Sequence, residues 1–239
     1  KHAREVWEFV NLYSKTRGCN RFHAVIRALD LLRERNEVVS RGVDVPSFPA
    51  LLEWVKRESK LGNATLDAEV LNGNDGLVPI KTWSDAVNDS VKDIAHGVPP
   101  FPLVREVLVE AAARADCMVI SQTPTDALER EWTENQIDGF VSAIAGQEMG
   151  TKTQHLDLAA KDKYGPGNIL MIGDAPGDHN ATKATGALFF PINPGDEEAS
   201  WKCLLDEGLE NFFCGTFAGD YQQQLLADFE KCLPENPTW

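Results

Sequence analysis

The spacing of apolar residues divides the chain into two regions of different texture. Up to about residue 98, apolar positions recur every three or four residues, a period typical of amphipathic helices. The first two sets are Val6, Phe9, Val10 and Tyr13, then Phe22, Val25, Ile26 and Leu29. Further helices are predicted after Pro49 and over Trp83–Ile94. The pattern therefore predicts an all-helical domain over residues 1–98.

Beyond the Pro-rich break at Gly97–Pro102, short apolar runs alternate with helical segments. Alternation of this kind is typical of βαβ units and of a parallel sheet covered by helices. The predicted strands are Cys117–Ser121, Gly139–Ile144, Asn168–Ile172 and Ala187–Ile192. The predicted helices are Leu103–Arg114, Thr125–Glu134, Thr153–Lys163 and His179–Thr185. Ligands bind such sheets beyond the carboxyl ends of the strands, so residues just after each apolar run are the candidates.

Two carboxylates follow the third predicted strand. Asp174 comes directly after Gly173, and Asp178 lies four residues further on, past a Pro-Gly turn. This pair suits Mg²⁺, which takes one or two protein carboxylates together with waters and substrate phosphate. The same residues also fit a purely structural role, in which Asp178 caps the next helix and Asp174 begins a turn.

Two other predicted strand-to-helix segments carry groups suited to anions. Ser121 and Gln122 end the first predicted strand, directly before a helix whose first N–H groups attract negative charge. Lys152 opens a later helix, where its ammonium would neutralise a bound phosphate. The alternatives are that Ser121 only caps its helix and that Lys152 is only solvated. Arg21 opens the second helix in a cationic stretch and is a further candidate for an anionic group, or a solvated surface residue.

Taken in chain order, Ser121, Lys152 and the Gly-Asp-x-x-x-Asp sequence with Asp174 and Asp178 resemble the second, third and fourth motifs of the haloacid dehalogenase superfamily of hydrolases. The resemblance implies an α/β fold with a Rossmann-like parallel sheet core over residues 99–239 and a helical cap over 1–98. It implies that Asp174 and Asp178 ligate Mg²⁺ and are catalytic together with Lys152. Ser121, Gln122 and Lys152 would bind the phosphate.

The activity implied by this resemblance is Mg²⁺-dependent hydrolysis of a small phosphate monoester through an aspartyl phosphate. The nucleophile motif of the superfamily, Asp-x-Asp after a first strand, is absent, since no two aspartates here stand two residues apart. That strand and nucleophile are therefore expected upstream of residue 1, and lack of the strand would divide the sheet. The alternatives are other chemistry of the same superfamily (phosphonate cleavage, sugar-phosphate mutation, dehalogenation) and a phosphate-binding module without activity.

Composition narrows the class of partner. The net charge of −14 repels nucleic acid and anionic membrane surfaces, so neither is expected as a partner. A small phosphorylated metabolite is the partner that the resemblance implies. The five cysteines are odd in number and never spaced as C-x-x-C, which indicates free thiols in a reducing, cytoplasmic compartment. No apolar run approaches the length of a membrane span. A monomer or small homo-oligomer is expected.

Overall fold

The computed structural model describes residues 1–94, 97–160, 163–165 and 167–239. The chain forms two compact units. Unit 1 comprises residues 1–96 with 235–239, and unit 2 comprises residues 97–234. The predicted division into functional domains at 98/99 stays a prediction. In the part of the chain that is described, no helix is both long enough and apolar enough to cross a bilayer.

Unit 1 is built from helices that bury one apolar face each. They are α1 (His2–Leu12), α2 (Arg21–Glu34), α3 (Asn36–Val39), α4 (Pro49–Arg57), α5 (Asn63–Leu71) and α6 (Val78–Ile94). The helices predicted from the apolar spacing are confirmed, although α6 begins five residues before Trp83 and α5 was not predicted. One core joins α1 to α2 through Val6, Val10 and Ala24. A second surrounds Trp54, which is fully buried beside Phe22.

Unit 2 alternates short strands and helices in the predicted order. Its elements are α7 (Val104–Ala112), β1 (Met118–Ile120), α8 (Thr125–Glu134), β2 (Ala143–Ala145), α9 (Lys152–Ala160), β3 (Leu170–Gly173), α10 (Pro176–Thr185), β4 (Leu188–Pro191), α11 (Glu197–Cys203), α12 (Leu209–Phe213) and α13 (Asp220–Cys232). A π-helical turn, Leu204–Gly208, joins α11 to α12. Part of the predicted helix 153–163 lies outside the described residues, because 161 and 162 are not described.

The predicted Rossmann-like sheet core is wrong. Strands β1 and β2 form one parallel pair, with Met118 opposite Ala143, and β3 and β4 form another, with Leu170 opposite Leu188. No ladder joins the two pairs among the residues described, so the strands make two separate two-stranded sheets within a mostly helical chain. The physical reason is that an apolar run indicates a buried segment, whereas its hydrogen-bonding partner is decided by tertiary packing.

The core of unit 2 has two parts, one on each side of the β3–β4 pair. Phe190 lies in the first, with Val107, Leu204 and Phe217. Phe189 lies in the second, with Met171 and Phe229. Because successive strand residues point to opposite faces, this division follows from the period of the strand. Ile120 of β1 packs against the second cluster, so β1 shares a core with β3 without pairing with it.

Candidate functional site

The clearest polar centre of unit 2 lies where β3 runs into α10. Asp178, on the first turn of α10, is 2% exposed. Its Oδ2 accepts hydrogen bonds from the backbone N–H groups of Asp174 (3.2 Å) and Ala175 (3.1 Å). The first N–H groups of a helix have no partner within the helix, and a carboxylate three residues in can satisfy those that precede it. Asp178 therefore closes the turn between β3 and α10, which we call the β3–α10 junction (residues 173–178).

A lysine from the neighbouring helix pairs with this carboxylate. The Nζ of Lys152, at the start of α9, donates to the Oδ1 of Asp178. The Asp178 side chain is 3% exposed and that of Lys152 is 26% exposed, so the pair is partly shielded from water. A charge-assisted hydrogen bond in such surroundings is stronger than an exposed one. The pair fixes an ammonium group beside the β3–α10 junction.

Gly173 leaves the space that Asp178 occupies. A Cβ on Gly173 would lie 2.6 Å from Oδ2 and 2.7 Å from Cγ of Asp178, well inside contact distance. The close approach requires glycine at this position. Local packing thus explains the sequence Gly-Asp-x-x-x-Asp, in addition to any chemical role of its aspartates.

The second polar centre lies between β1 and α8, and we call it the β1–α8 junction (residues 121–125). Ser121 continues the strand pairing, since its N–H donates to the Ala145 carbonyl at 3.0 Å. Its Oγ accepts from the Thr123 N–H at 3.1 Å, which leaves the hydroxyl proton to be donated elsewhere. The side-chain amide of Gln122 donates to the Gly150 carbonyl at 3.1 Å. Through that bond the junction is tied to the loop that leads into Lys152.

A residue that the sequence did not indicate occupies the start of α8. The Glu148 carboxylate accepts hydrogen bonds from the Thr125 N–H (3.1 Å) and from the Thr125 hydroxyl (2.9 Å). Bonds from backbone N–H groups hold the pKa of Glu148 below its usual range. The predicted anion site at this helix start is thus filled by an anion of the chain itself. No sequence signal identifies Glu148, because it lies 23 residues from Thr125.

The structure brings three of the predicted site residues, Lys152, Asp174 and Asp178, into direct contact and ties Gln122 to the loop before Lys152. Gln122 contacts Gly150, two residues before Lys152, and Lys152 contacts Asp178, which binds the Asp174 backbone. Arg21, by contrast, belongs to unit 1. Its guanidinium donates to the Asn88 side chain (2.6 Å) and the Ser84 hydroxyl (3.2 Å) of α6, and burial lowers its pKa. The binding role of Arg21 stays a prediction.

Two aspartates, Asp174 and Asp178, are the predicted ligands for a metal ion at this site. Both oxygens of Asp178 already accept hydrogen bonds, from Lys152 and from two backbone N–H groups. Within the described ranges, no three or more His, Cys, Asp or Glu side chains are grouped so that they could hold an ion. The predicted roles of Asp174 and Asp178 as metal ligands therefore stay predictions. All five cysteines are free thiols.

Comparison with known proteins finds relatives that are named as glutamate ligases. No family model and no solved structure matches the chain. A protein of Citrobacter koseri named "Probable alpha-L-glutamate ligase" is 26% identical over 185 residues, which covers 68% of this chain and 61% of the relative. The "Ribosomal protein bS6--L-glutamate ligase" of Escherichia coli O139:H28 is 26% identical over 184 residues with the same coverage of 68% and 61%. The chain thus spans 61% of the length of these relatives.

These relatives correct the family prediction. They are named as glutamate ligases and not as haloacid dehalogenase hydrolases, so the predicted membership is wrong. The predicted hydrolase and phosphatase activity, Mg²⁺-dependent cleavage of a phosphate monoester, is wrong for the same reason, because the relatives are named as ligases and not as hydrolases. Serine, lysine and aspartate at strand ends are common wherever phosphate is bound, and their order did not discriminate between these classes.

The predicted partner is corrected as well. The name of the Escherichia coli relative specifies a ribosomal protein and L-glutamate, whereas a small phosphorylated metabolite was predicted here. The prediction failed because it was taken from the family resemblance and from the phosphate-binding motifs that carried it. Neither feature distinguishes a phosphorylated substrate from a nucleotide that accompanies other substrates.

Proposed function

We propose that this chain is part of an ATP-dependent ligase that joins L-glutamate to a carboxylate of a protein acceptor. The observation that carries the proposal is the similarity to the glutamate ligases over 68% of the chain. That share is larger than either unit, so the similarity extends into both units. The free thiols support action in a reducing compartment such as the cytoplasm.

The chemistry of ligation accounts for a phosphate site in a protein that is not a phosphatase. Joining a carboxylate to an amine expels water and is unfavourable in aqueous solution, so the carboxylate must first be activated. Its oxygen attacks the γ-phosphorus of ATP, the bond to the β-phosphate oxygen breaks, and an acyl phosphate and ADP result. The glutamate amine then attacks the acyl carbon, the carbon–oxygen bond to phosphate breaks, and inorganic phosphate leaves. The amine gives up one proton to solvent.

The β3–α10 junction supplies the groups that such a phosphoryl transfer needs, chiefly positioning and charge neutralisation. The Lys152 ammonium, held by Asp178, would face the phosphate oxygens. The Ser121 hydroxyl at the β1–α8 junction retains a proton to donate to the same group. Because the chain carries a net charge of −14, local cationic groups are required to bind a polyphosphate.

Magnesium fits this site as a partner of the nucleotide. Mg²⁺ binds through one or two carboxylates together with phosphate oxygens and water, and it would neutralise charge on the phosphates. Asp174 provides the carboxylate in our proposal, because it comes directly after β3 at the β3–α10 junction. Asp178 then acts by positioning Lys152 and the turn.

The test is a ligation assay on the full-length natural protein with MgATP, L-glutamate and ribosomal protein bS6 as the acceptor. We expect ADP release that depends on the acceptor and a mass increase of one glutamyl residue per event. Lys152→Met and Asp174→Asn should each reduce the rate at least a hundredfold, the scale typical of losing one group that stabilises transition-state charge. Lys183→Met and Asp126→Asn, which change exposed residues of α10 and α8, are the matched controls. Absence of ADP and of glutamyl addition in the wild type would overturn the proposal.

A further inference from the structure

His155 is a buried polar side chain that the site as described leaves unused. It lies on α9, one turn after Lys152, and is 4% exposed. Neither ring nitrogen has a hydrogen-bond partner among the residues described. Buried polar groups are nearly always paired, so an exception at the edge of a candidate site calls for a functional explanation.

The ring lies against the backbone of Gly150. A Cβ built on Gly150 would lie 2.9 Å from Oε1 of Gln154 and 3.6 Å from Nε2 of His155, so both side chains lie beside this peptide. Gly150 has a φ of +137°, a conformation that side-chain-bearing residues rarely adopt. Glycine at this position permits the Gly150–Thr151 peptide to turn, which would release the Thr151 N–H from Oε1 of Gln154, its acceptor at 2.9 Å.

The Gly150 carbonyl is held by a residue predicted to bind phosphate. It accepts the Gln122 amide at 3.1 Å. While that bond exists, one N–H of Gln122 cannot be donated to a ligand. If Gln122 turns towards a phosphate, the Gly150 carbonyl needs another donor, and a neutral imidazole with hydrogen on Nε2 is one.

We propose that His155 is a positioning residue that supplies the replacement donor to the Gly150 carbonyl. When a phosphate group binds, the Gln122 amide leaves Gly150 and donates to the phosphate, and the Gly150 peptide turns so that its carbonyl accepts from Nε2–H of His155. The buried imidazole gains its partner only in the bound state. The ligand class rests on the proposed function, and MgATP is the probe.

The first experiment compares ligand affinity with stability in His155→Leu. We expect MgATP to bind roughly tenfold more weakly, the scale of one lost hydrogen bond to a buried group. The unfolding temperature should stay equal or rise, because an unpaired buried polar group has been removed. His155→Gln, which keeps a donor, should recover part of the affinity, and His23→Leu, on the exposed side of α2, is the control. A lower unfolding temperature with unchanged affinity would overturn the proposal in favour of a merely structural role.

The second experiment needs no ligand. In Gln122→Ala the Gly150 carbonyl has lost its donor, so it should already pair with His155. The ring ¹⁵N signals of His155 should then shift without MgATP to the positions that MgATP produces in the wild type. If those signals stay at their ligand-free wild-type positions, the exchange is refuted.

The two proposals can fail separately. If the wild type binds no MgATP, the proposed function fails, and the ring signals in Gln122→Ala still decide whether Gln122 and His155 compete for Gly150. If MgATP binds but His155→Leu binds it as tightly as the wild type, the exchange fails and the ligase proposal stands.

Discussion

The two strand-to-helix junctions of unit 2 satisfy the same physical need in opposite ways. Each helix start has unpaired N–H groups, and each receives a carboxylate of the chain itself. At the β3–α10 junction the carboxylate is Asp178, which is 2% exposed and paired with Lys152. At the β1–α8 junction it is Glu148, which is exposed and comes from the short 3₁₀ helix Gln147–Met149. A buried, paired carboxylate is part of the framework, whereas an exposed one can be displaced by a ligand.

Among substitutions at the two junctions, Asp178→Ala should cause the largest loss of stability. The substitution leaves Lys152 without its anion and two backbone N–H groups without an acceptor. We expect the free energy of unfolding to fall by about 3 kcal/mol, the lower end for removal of one partner from a buried ion pair, because Lys152 is partly exposed.

Urea denaturation measures this change, and Asp126→Ala at the start of α8 is the matched control with a loss of about 0.5 kcal/mol. Equal losses in the two variants would show that the β3–α10 junction is no more than an ordinary helix start.

The next largest change in stability should distinguish two glycines of the β3–α10 junction. Gly173→Ala places a Cβ 2.6 Å from Asp178 and should cost about 2 kcal/mol, as overpacking of a closed site does. Gly177→Ala meets nothing within 4 Å and lies in the first turn of α10, so it should stabilise the protein by about 0.5 kcal/mol. Thermal unfolding of both variants is the measurement, and a loss of stability in both would contradict the assignment of Asp178 as the cause.

The smallest effect on stability should come from Glu148→Gln at the β1–α8 junction. Its carboxylate is exposed, and an amide oxygen can still accept from Thr125. The free energy of unfolding near neutral pH should therefore change little. Binding of inorganic phosphate should become tighter, because a negative charge at the helix start has been removed. Titration calorimetry against Asp178→Asn, in which binding should weaken, tests whether the exposed carboxylate is the displaceable one.

The dependence of stability on pH tests the contribution of Glu148 at the β1–α8 junction. The pKa of Glu148 is lowered by hydrogen bonds from backbone N–H groups, so its contribution is present above the unfolded pKa of 4.5 and is lost as the pH falls through the lower folded value. The wild type should therefore lose more stability than Glu148→Gln as the pH falls below 4.5. Parallel stability curves for the two proteins in this range would contradict the hydrogen bonds at Thr125.

Sequence patterns predicted the parts of the fold that depend on local period. The spacing of Val6, Phe9 and Val10 predicted α1, and the apolar runs predicted all four strands to within a few residues. They did not predict which strands pair. Cooperative pairing of β1 with β2 and of β3 with β4 depends on residues far apart in the chain, such as Met118 and Ala143.

The candidate site was predictable to the same extent. Gly173, Asp174 and Asp178 were identified because a strand, a turn and a helix start follow one another in ten residues. Glu148 was not identified, because its role depends on a contact with Thr125, 23 residues away. His155 was not identified either, because its burial depends on tertiary packing. The order of Ser121, Lys152 and Asp174 suggested a family that the relatives overturn, because phosphate-binding residues at strand ends serve more than one class of enzyme.

By itself, the sequence determined the order of the four strands and of most helices, and it offered Asp178 as a carboxylate that could cap the helix after β3. These features follow from the period of apolar residues and from backbone N–H groups that need acceptors nearby in the chain. Only the tertiary structure decided that Lys152 pairs with Asp178, that Glu148 fills the start of α8, and that His155 lies buried against Gly150. The first two depend on contacts between segments 26 and 23 residues apart, and the burial of His155 depends on what α9 packs against. The packing of the apolar faces sets all three, and no local pattern encodes it.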